Sequence, residues 1–217
     1  MSTKAIELPL FPLNIVLFPG TVRPLHVFES RYRQMITDCL YQGNPFGVVL
    51  VREDSEYLNE EPYSVGTMAE IHNLSRLEDG SYNLLAIGTR RFRILSQHRN
   101  KPYLSGLVEP FDDHPEPISQ LSLHVKQVRH LFISYLNMLL DVPGDKDIEA
   151  NLPETPEDLS HVVAYFLDVE DEQKQHYLEL TSTRERLQSE INFLRREVPF
   201  MRHMLLKEPS KERIVLN

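Results

Sequence analysis

The sequence predicts an α+β chain, with a barrel-like, β-rich front half and an all-helical back half. Seven of its eight glycines lie at or before residue 106 and only Gly144 lies beyond, so turn density drops sharply along the chain. The apolar pattern keeps period two in the first half and steps by three and four after residue 117. Between the two patterns, Phe111 to Pro117 reads FDDHPEP, acidic and with two prolines, which suits an exposed connector. The expected organisation is a barrel over residues 1–110 with one helix near 28–42, a connector at 111–117, a helical bundle at 118–208 and an unordered tail at 209–217. Small sheets avoid exposed edges by curling or closing, hence the barrel.

Each element has its own reason. Asn14 to Phe18 ends at Pro19-Gly20, Phe46 to Val51 ends in charge, and Val65, Thr67, Ala69 and Ile71 alternate, so all three runs are predicted as strands. Asp79-Gly80, placed before Tyr82 to Ile87, predicts a hairpin because glycine accepts positive φ without steric cost. Phe28, Tyr32, Met35, Ile36, Cys39 and Leu40 form a helical stripe that ends near Gly43. After the connector, Leu121, Val125, Val128, Phe132, Tyr135 and Leu139 mark a long helix. Thr155-Pro156-Glu157-Asp158 supplies a hydroxyl cap, proline at the first helical position and acids in the first turn of the next. Ser182 and Glu185 have capping-box spacing ahead of Leu187, Ile191, Leu194, Val198 and Met201, and Pro199 is expected to kink or restart that last helix.

Composition excludes several classes. The net charge of −9 argues against a duplex-DNA binder, whose affinity comes from neutralised phosphates. A single cysteine, Cys39, forms no internal disulfide or cysteine zinc site and is expected as a buried core thiol in a reducing, cytoplasmic setting. No run approaches membrane-spanning length, so no membrane partner is expected. The phosphate-cradling G-x-x-x-x-G-K-[ST] and G-x-G-x-x-G runs are absent, as are the G-x-S-x-G elbow and H-E-x-x-H, so neither catalysis nor a metal or cofactor is expected. Arg90, Arg91, Arg93, Arg99 and Lys101, near Tyr103, form the one basic concentration; an RNA-facing strip is one reading and a solvated strand face the other. A hydrolase built on Cys39 or a serine would need a histidine within hydrogen-bond reach.

Four motifs in order carry a family resemblance: L-P-L-F-P-L-N-I-V-L-F-P-G (Leu8 to Gly20), P-L-H-V-F-E-S-R-Y-R (Pro24 to Arg33), V-G-T-M-A-E-I (Val65 to Ile71) and D-G-S-Y-N-L-L-A-I-G-T-R-R-F-R-I (Asp79 to Ile94). With Thr155 to Leu159, Lys174-Gln175, Leu178-Glu179 and Glu185 to Leu187, the chain resembles, over nearly its whole length, the N-terminal substrate-binding domain of Lon proteases. The resemblance implies a PUA-like β-barrel followed by a helical bundle, and a non-catalytic module that holds protein or unfolded polypeptide in quality control or as an adaptor. An RNA-binding PUA-like module is the alternative, which the charge balance opposes.

The expected binding residues are Glu29, Arg31, Tyr32 and Arg91. Phe28 and Tyr32, at i and i+4, point into the barrel in this reading, Glu29 and Arg31 stay at the surface, and Glu29 has the spacing to pair with Arg33. Strand alternation turns Arg91 outward, away from Phe92. A mixed-sign seam between barrel and bundle suits an extended peptide better than a polyanion.

Overall fold

The computed structural model describes residues 4–52, 61–140 and 151–207; the expected tail at 209–217 lies outside the described residues. In chain order the elements are β1 (Ile6–Leu13), β2 (Val22–Val27), α1 (Ser30–Gln42), β3 (Phe46–Val51), β4 (Pro62–Arg76), β5 (Tyr82–His98), β6 (Ser105–Phe111), α2 (Ile118–Leu140), α3 (Pro156–Phe166), α4 (Asp171–Glu179) and α5 (Thr183–Lys207). A mixed sheet therefore precedes the helices, as the fold class requires.

The six strands lie in the order β2-β5-β4-β3-β1-β6, and β6 also pairs with β5, so five of them form a ring of pairings with β2 attached to β5. β5 makes this possible: its first half pairs with β2, its last half with β6, and β4 runs along most of it. Register shifts between Thr67 and Ala69, His72 and Ser75, and Ile94 and Ser96 bend the long strands. Phe92 is fully buried, and a Cβ on Gly47 or Gly66 would come within 2.6 and 2.8 Å of its ring; these two glycines make the room it fills.

Helix α1 ends where the glycine predicts. Gly43 adopts φ 66°, its N–H donates to the Leu40 carbonyl, and the Asn44 N–H donates to the Cys39 carbonyl, which closes the last turn. Tyr32, Met35, Ile36 and Cys39 bury against Phe11, Phe46 and Val48 of the sheet. Phe28 does not follow them. It precedes the helix in extended chain, where helical periodicity does not operate, and is 64% exposed.

One strand expectation changes. Asn14 to Phe18 is a loop whose apolar side chains are nonetheless buried at Val16, Leu17 and Phe18. Its polar backbone is satisfied by side chains: Thr67 Oγ1 donates to the Leu17 carbonyl at 2.6 Å and Thr21 Oγ1 to the Phe18 carbonyl at 2.8 Å. The strand lies just before it, in β1, despite Pro9 and Pro12. Ile6 to Pro9 pairs with β6 and Leu10 to Leu13 with β3, so each proline sits in a half-strand that the ladder engages from one side.

The helices and the sheet share a core: Val16, Phe18, Leu50 and Val65 cluster with Phe132, Leu159, Val163, Leu187, Ile191 and Leu194. Thr155 Oγ1 caps α3 by accepting from the Asp158 N–H at 3.2 Å, and Ser182 Oγ accepts from the Glu185 N–H at 3.2 Å at the start of α5. Pro199 does not restart α5, which stays helical through it. The proline is exposed, and its missing N–H leaves the Arg195 carbonyl without its helical donor. Helix α4 has no apolar stripe to announce it; it buries Gln175, Tyr177 and Leu178.

Candidate functional site

Two constellations stand out, one exposed and one buried. The exposed one is the lip made by β2 and the start of α1. β2 pairs only with β5 among the described strands, and Pro24 in its middle has no N–H to offer at the edge. The Phe28 ring stacks on His26, centroids 5.9 Å apart, and His26 Nδ1 meets Asn83 Oδ1 at 2.7 Å. Beside them opens a cleft of about 380 Å³ lined by Pro24, Leu25, His26, Asn73, Asn83, Leu84 and Leu85. Asn73 holds φ 47° in the irregular stretch of β4 between His72 and Ser75, a conformation asparagine tolerates better than most residues. The result is an apolar floor with two amides and an imidazole at its rim.

Glu29 and Arg31 border this lip. The Glu29 carboxylate accepts from Arg31 Nε at 2.9 Å rather than pairing with Arg33, whose guanidinium donates to the Asp79 carbonyl at 3.3 Å. The Arg31 guanidinium lies 4.4 Å from the centroid of the Tyr32 ring, a cation–π contact. Tyr32 itself is buried and packs on Phe11, so it anchors α1 and presents no free face for a partner.

Arg91 lies elsewhere. Its side chain does leave the strand opposite Phe92, but that face is covered by helices and the residue is only 1% exposed. It is the centre of the buried constellation. Arg91 Nη2 and Arg186 Nη2 both donate to the Asp113 carboxylate, and Thr183 Oγ1 adds a bond at 2.5 Å. Arg91 Nη1 also donates to the carbonyls of Leu178 and Leu180 at 2.9 and 2.6 Å, and Arg186 Nε to Ser160 Oγ at 2.8 Å. Burial alone would raise the Asp113 carboxyl; Arg186, its hydrogen bonds and Arg91 outweigh that and hold it below the usual range. The acidic connector is thus a buried tether at Asp113.

Two titratable groups nearby have no hydrogen-bond partner. His161 leaves both ring nitrogens unpaired, and burial, then Arg186 and Arg91, push it well below its ordinary value. Both Glu190 oxygens are unpaired, and burial pushes its carboxyl well above the usual range despite Arg186. A carboxyl raised on folding contributes fully below its unfolded value, and that contribution is lost as pH rises through the folded one. Glu190→Gln is therefore expected to raise the unfolding free energy at pH 8 by about 1–3 kcal/mol, a gain that vanishes near pH 4. Urea unfolding at the two pH values checks this.

The basic strip does not form one face. Arg90 is bidentate on Asp112, at 2.7 and 2.5 Å, and Arg91 is sequestered. Lys101 lies over Tyr103, whose ring is buried and whose hydroxyl donates to Asp38 at 2.6 Å, so that ring is closed to base stacking. Cys39 donates to the Pro45 carbonyl, and burial pushes its thiol up to about 11, the reverse of an activated nucleophile. Among the described residues no group of three or more His, Cys, Asp and Glu is placed to hold a metal ion. No described helix is long and apolar enough to cross a membrane.

Periodicity missed His26, outward Phe28, Asn73 and Asn83. The available signal was the position of Phe28, two residues ahead of Ser30, where the chain is still extended.

Residues 7–196 match a family model described as the ATP-dependent protease La (LON) substrate-binding domain. Among curated proteins, the chain is 30% identical over 187 residues to a Lon protease of Cytophaga hutchinsonii, covering 82% of this chain and 23% of the relative. It is 28% identical over 200 residues to one of Anaeromyxobacter dehalogenans, covering 88% and 23%. The chain thus spans about a quarter of the length of these relatives. Among solved structures, a Lon N-terminal domain protein from Xanthomonas campestris superposes with TM-score 0.61 at 26% identity, covering 94% of this chain and 99% of that one. The N-terminal domain of a Mycobacterium avium complex Lon protease gives TM-score 0.69 at 18% identity, over 88% and 98%, a likeness of fold. On the extent of these matches, the chain belongs to the Lon substrate-binding domain family.

Proposed function

We propose that this chain is a non-catalytic polypeptide-binding module that takes extended, unfolded segments of protein at the β2–α1 lip. The observation that carries the reading is Phe28: a large aromatic 64% exposed, stacked on His26, which itself lines an apolar cleft, in a chain of a substrate-binding family. Leu25, Leu84 and Leu85 line the cleft for apolar side chains, Asn73 and Asn83 offer amides to a peptide backbone, and the Glu29–Arg31 pair supplies both charge signs at the border. In this reading the ring of strand pairings is a PUA-like β-barrel, the helices are its attached bundle, and the lip holds clients in the cytoplasm for quality control or as an adaptor.

The experiment compares one protein in two states. Reduced, carboxymethylated α-lactalbumin is expected to bind the purified chain with a Kd of about 1–100 μM, the range of weak, wet surfaces, and native calcium-loaded α-lactalbumin is not. No peptides are released from either. Equal binding of the two forms, or cleavage that co-purifies with the chain, contradicts the reading.

A further inference from the structure

The two faces of β2 have opposite surroundings. Leu25 and Val27 join Leu84 and Ala86 in the core beneath α1. Strand alternation turns Val22, Pro24 and His26 the other way, and the register sets them opposite Ile87, Leu85 and Asn83 of β5. That face stays open. Val22 is 42% exposed, Pro24 and His26 are exposed, and Leu85 and Ile87 are half-buried yet pack in none of the three apolar cores among the described residues. The stack of Phe28 on His26 carries the row past the end of the strand. From Val22 to Phe28 the chain advances six residues, about 20 Å, and presents one side chain to this face roughly every 6.7 Å.

The outer edge of β2 is closed to a further strand. The Thr21 carbonyl accepts from the Gly88 N–H and so turns toward β5, while the Val22 carbonyl turns away and accepts from the Tyr165 hydroxyl of α3 at 3.2 Å. Pro24, the next residue turned outward, has no N–H. One acceptor is taken and one donor is missing, which breaks any continuous main-chain ladder along this edge. The border of the face is polar but internally matched. Glu70 and His72 of β4 stand opposite Ile87 and Leu85, with His72 Nε2 3.5 Å from the Glu70 carboxylate, and Glu29 is bonded to Arg31 at the far end. Charges that satisfy one another leave apolar contact as the basis of selection.

Resting on the polypeptide-binding reading of the lip, we propose that its clients are extended segments with apolar side chains at alternate positions, laid on the outer face of β2 and held by side chains rather than by strand addition. An extended segment of about seven residues repeats its same-face side chains at the spacing of the row itself, so it meets Val22, the Pro24–Leu85 floor and Phe28 in one register. A helix advances about 5.4 Å per turn, so over three intervals its stripe falls about 4 Å short of the row. Recognition without main-chain pairing tolerates many sequences, which suits a chain of a substrate-binding family.

The test uses the full chain and three labelled peptides of roughly nine residues, monomeric by sedimentation and too short to be helical alone. The first carries leucines at alternate positions among serines, and the second has the same composition with leucines at helical spacing. The third repeats the first with its leucine amides N-methylated, the amides that an added strand would pair with Val22, Pro24 and His26. Fluorescence anisotropy is expected to show the first binding at least about fivefold tighter than the second, and the third within about twofold of the first. Val22→Ser is expected to weaken the first about threefold and leave the second unchanged, with the unfolding midpoint unmoved. Equal binding of the first two peptides, while capture of unfolded α-lactalbumin still depends on Phe28, overturns the spacing and leaves the lip reading standing. Loss of binding on N-methylation makes strand addition the mode and likewise overturns the proposal alone. Capture of unfolded α-lactalbumin that is absent, or indifferent to Phe28→Asp, overturns the reading and the proposal together.

Discussion

Asp113→Ala is expected to lower the unfolding free energy by about 3–5 kcal/mol, the largest loss of any single side chain we identify. Arg91 and Arg186 are 1% and 0% exposed, and the Asp113 carboxylate is the acid that both guanidinium groups bond. Without it, two like charges face each other in a buried site. Arg91 also reaches the carbonyls of Leu178 and Leu180 at the end of α4, and Arg186 reaches Leu180, so the same change loosens sheet, connector and helices together. Chemical unfolding at pH 7 measures this. The sign with pH follows from the depressed Asp113 carboxyl: its contribution is present above about pH 4, the unfolded value, and is lost as pH falls through the folded one. His161, held neutral by burial, adds a loss that begins as pH falls below about 6.5. The Asp113→Ala protein therefore has a flatter acid limb. A triple variant, Arg91→Met, Asp113→Leu and Arg186→Met, is expected to regain only part of the lost stability, because it removes the uncompensated charges but leaves the Leu178 and Leu180 carbonyls without their guanidinium donors.

The second large effect is on binding. Phe28→Asp is expected to reduce the affinity for unfolded α-lactalbumin at least about tenfold, with the unfolding midpoint unchanged. The ring is 64% exposed, so little burial is lost on folding, whereas an apolar client loses its anchor and meets a carboxylate beside Glu29. Reversal of Arg31 isolates the charge contribution: Arg31→Glu is expected to weaken capture by only a few-fold, as for a rim charge. Titration of labelled client against each variant gives both numbers.

How much of this was legible depended on which force placed each side chain. The α1 stripe, its Gly43 terminus, the Asp79-Gly80 hairpin and the Thr155 cap were legible because each is decided within a few residues of chain. Arg91 was half legible. Alternation sets its direction relative to Phe92, but whether that direction meets water or α4 and α5 depends on residues nearly ninety positions away. Asp113 read as part of a solvated linker for the same reason: its buried partners, Arg91 and Arg186, lie 22 and 73 positions away. The run Asn14 to Phe18 read as a strand because its residues are apolar. In the structure Leu17 turns toward α1 and Val16 and Phe18 toward the helices, the same alternation a strand has; what separates the run from a strand is its backbone, whose Leu17 and Phe18 carbonyls accept from Thr67 and Thr21 side chains instead of a neighbouring strand. Of the lip, Glu29 and Arg31 were identified from sequence; the cleft was not, because Asn73 and Asn83 meet there only through the pairing of β4 with β5 and of β5 with β2.

The central claim is that polypeptide binds at the β2–α1 lip. Hydrogen–deuterium exchange of the full chain, with and without saturating unfolded α-lactalbumin, tests it directly because the method reports position as well as binding. The account predicts slowed exchange across residues 22–33 and in the β4–β5 stretch around Asn73 and Asn83, with the buried Asp113 tether unchanged. Protection confined to α2 and α5, or to the Arg90–Lys101 strip, with the lip exchanging freely, would contradict it.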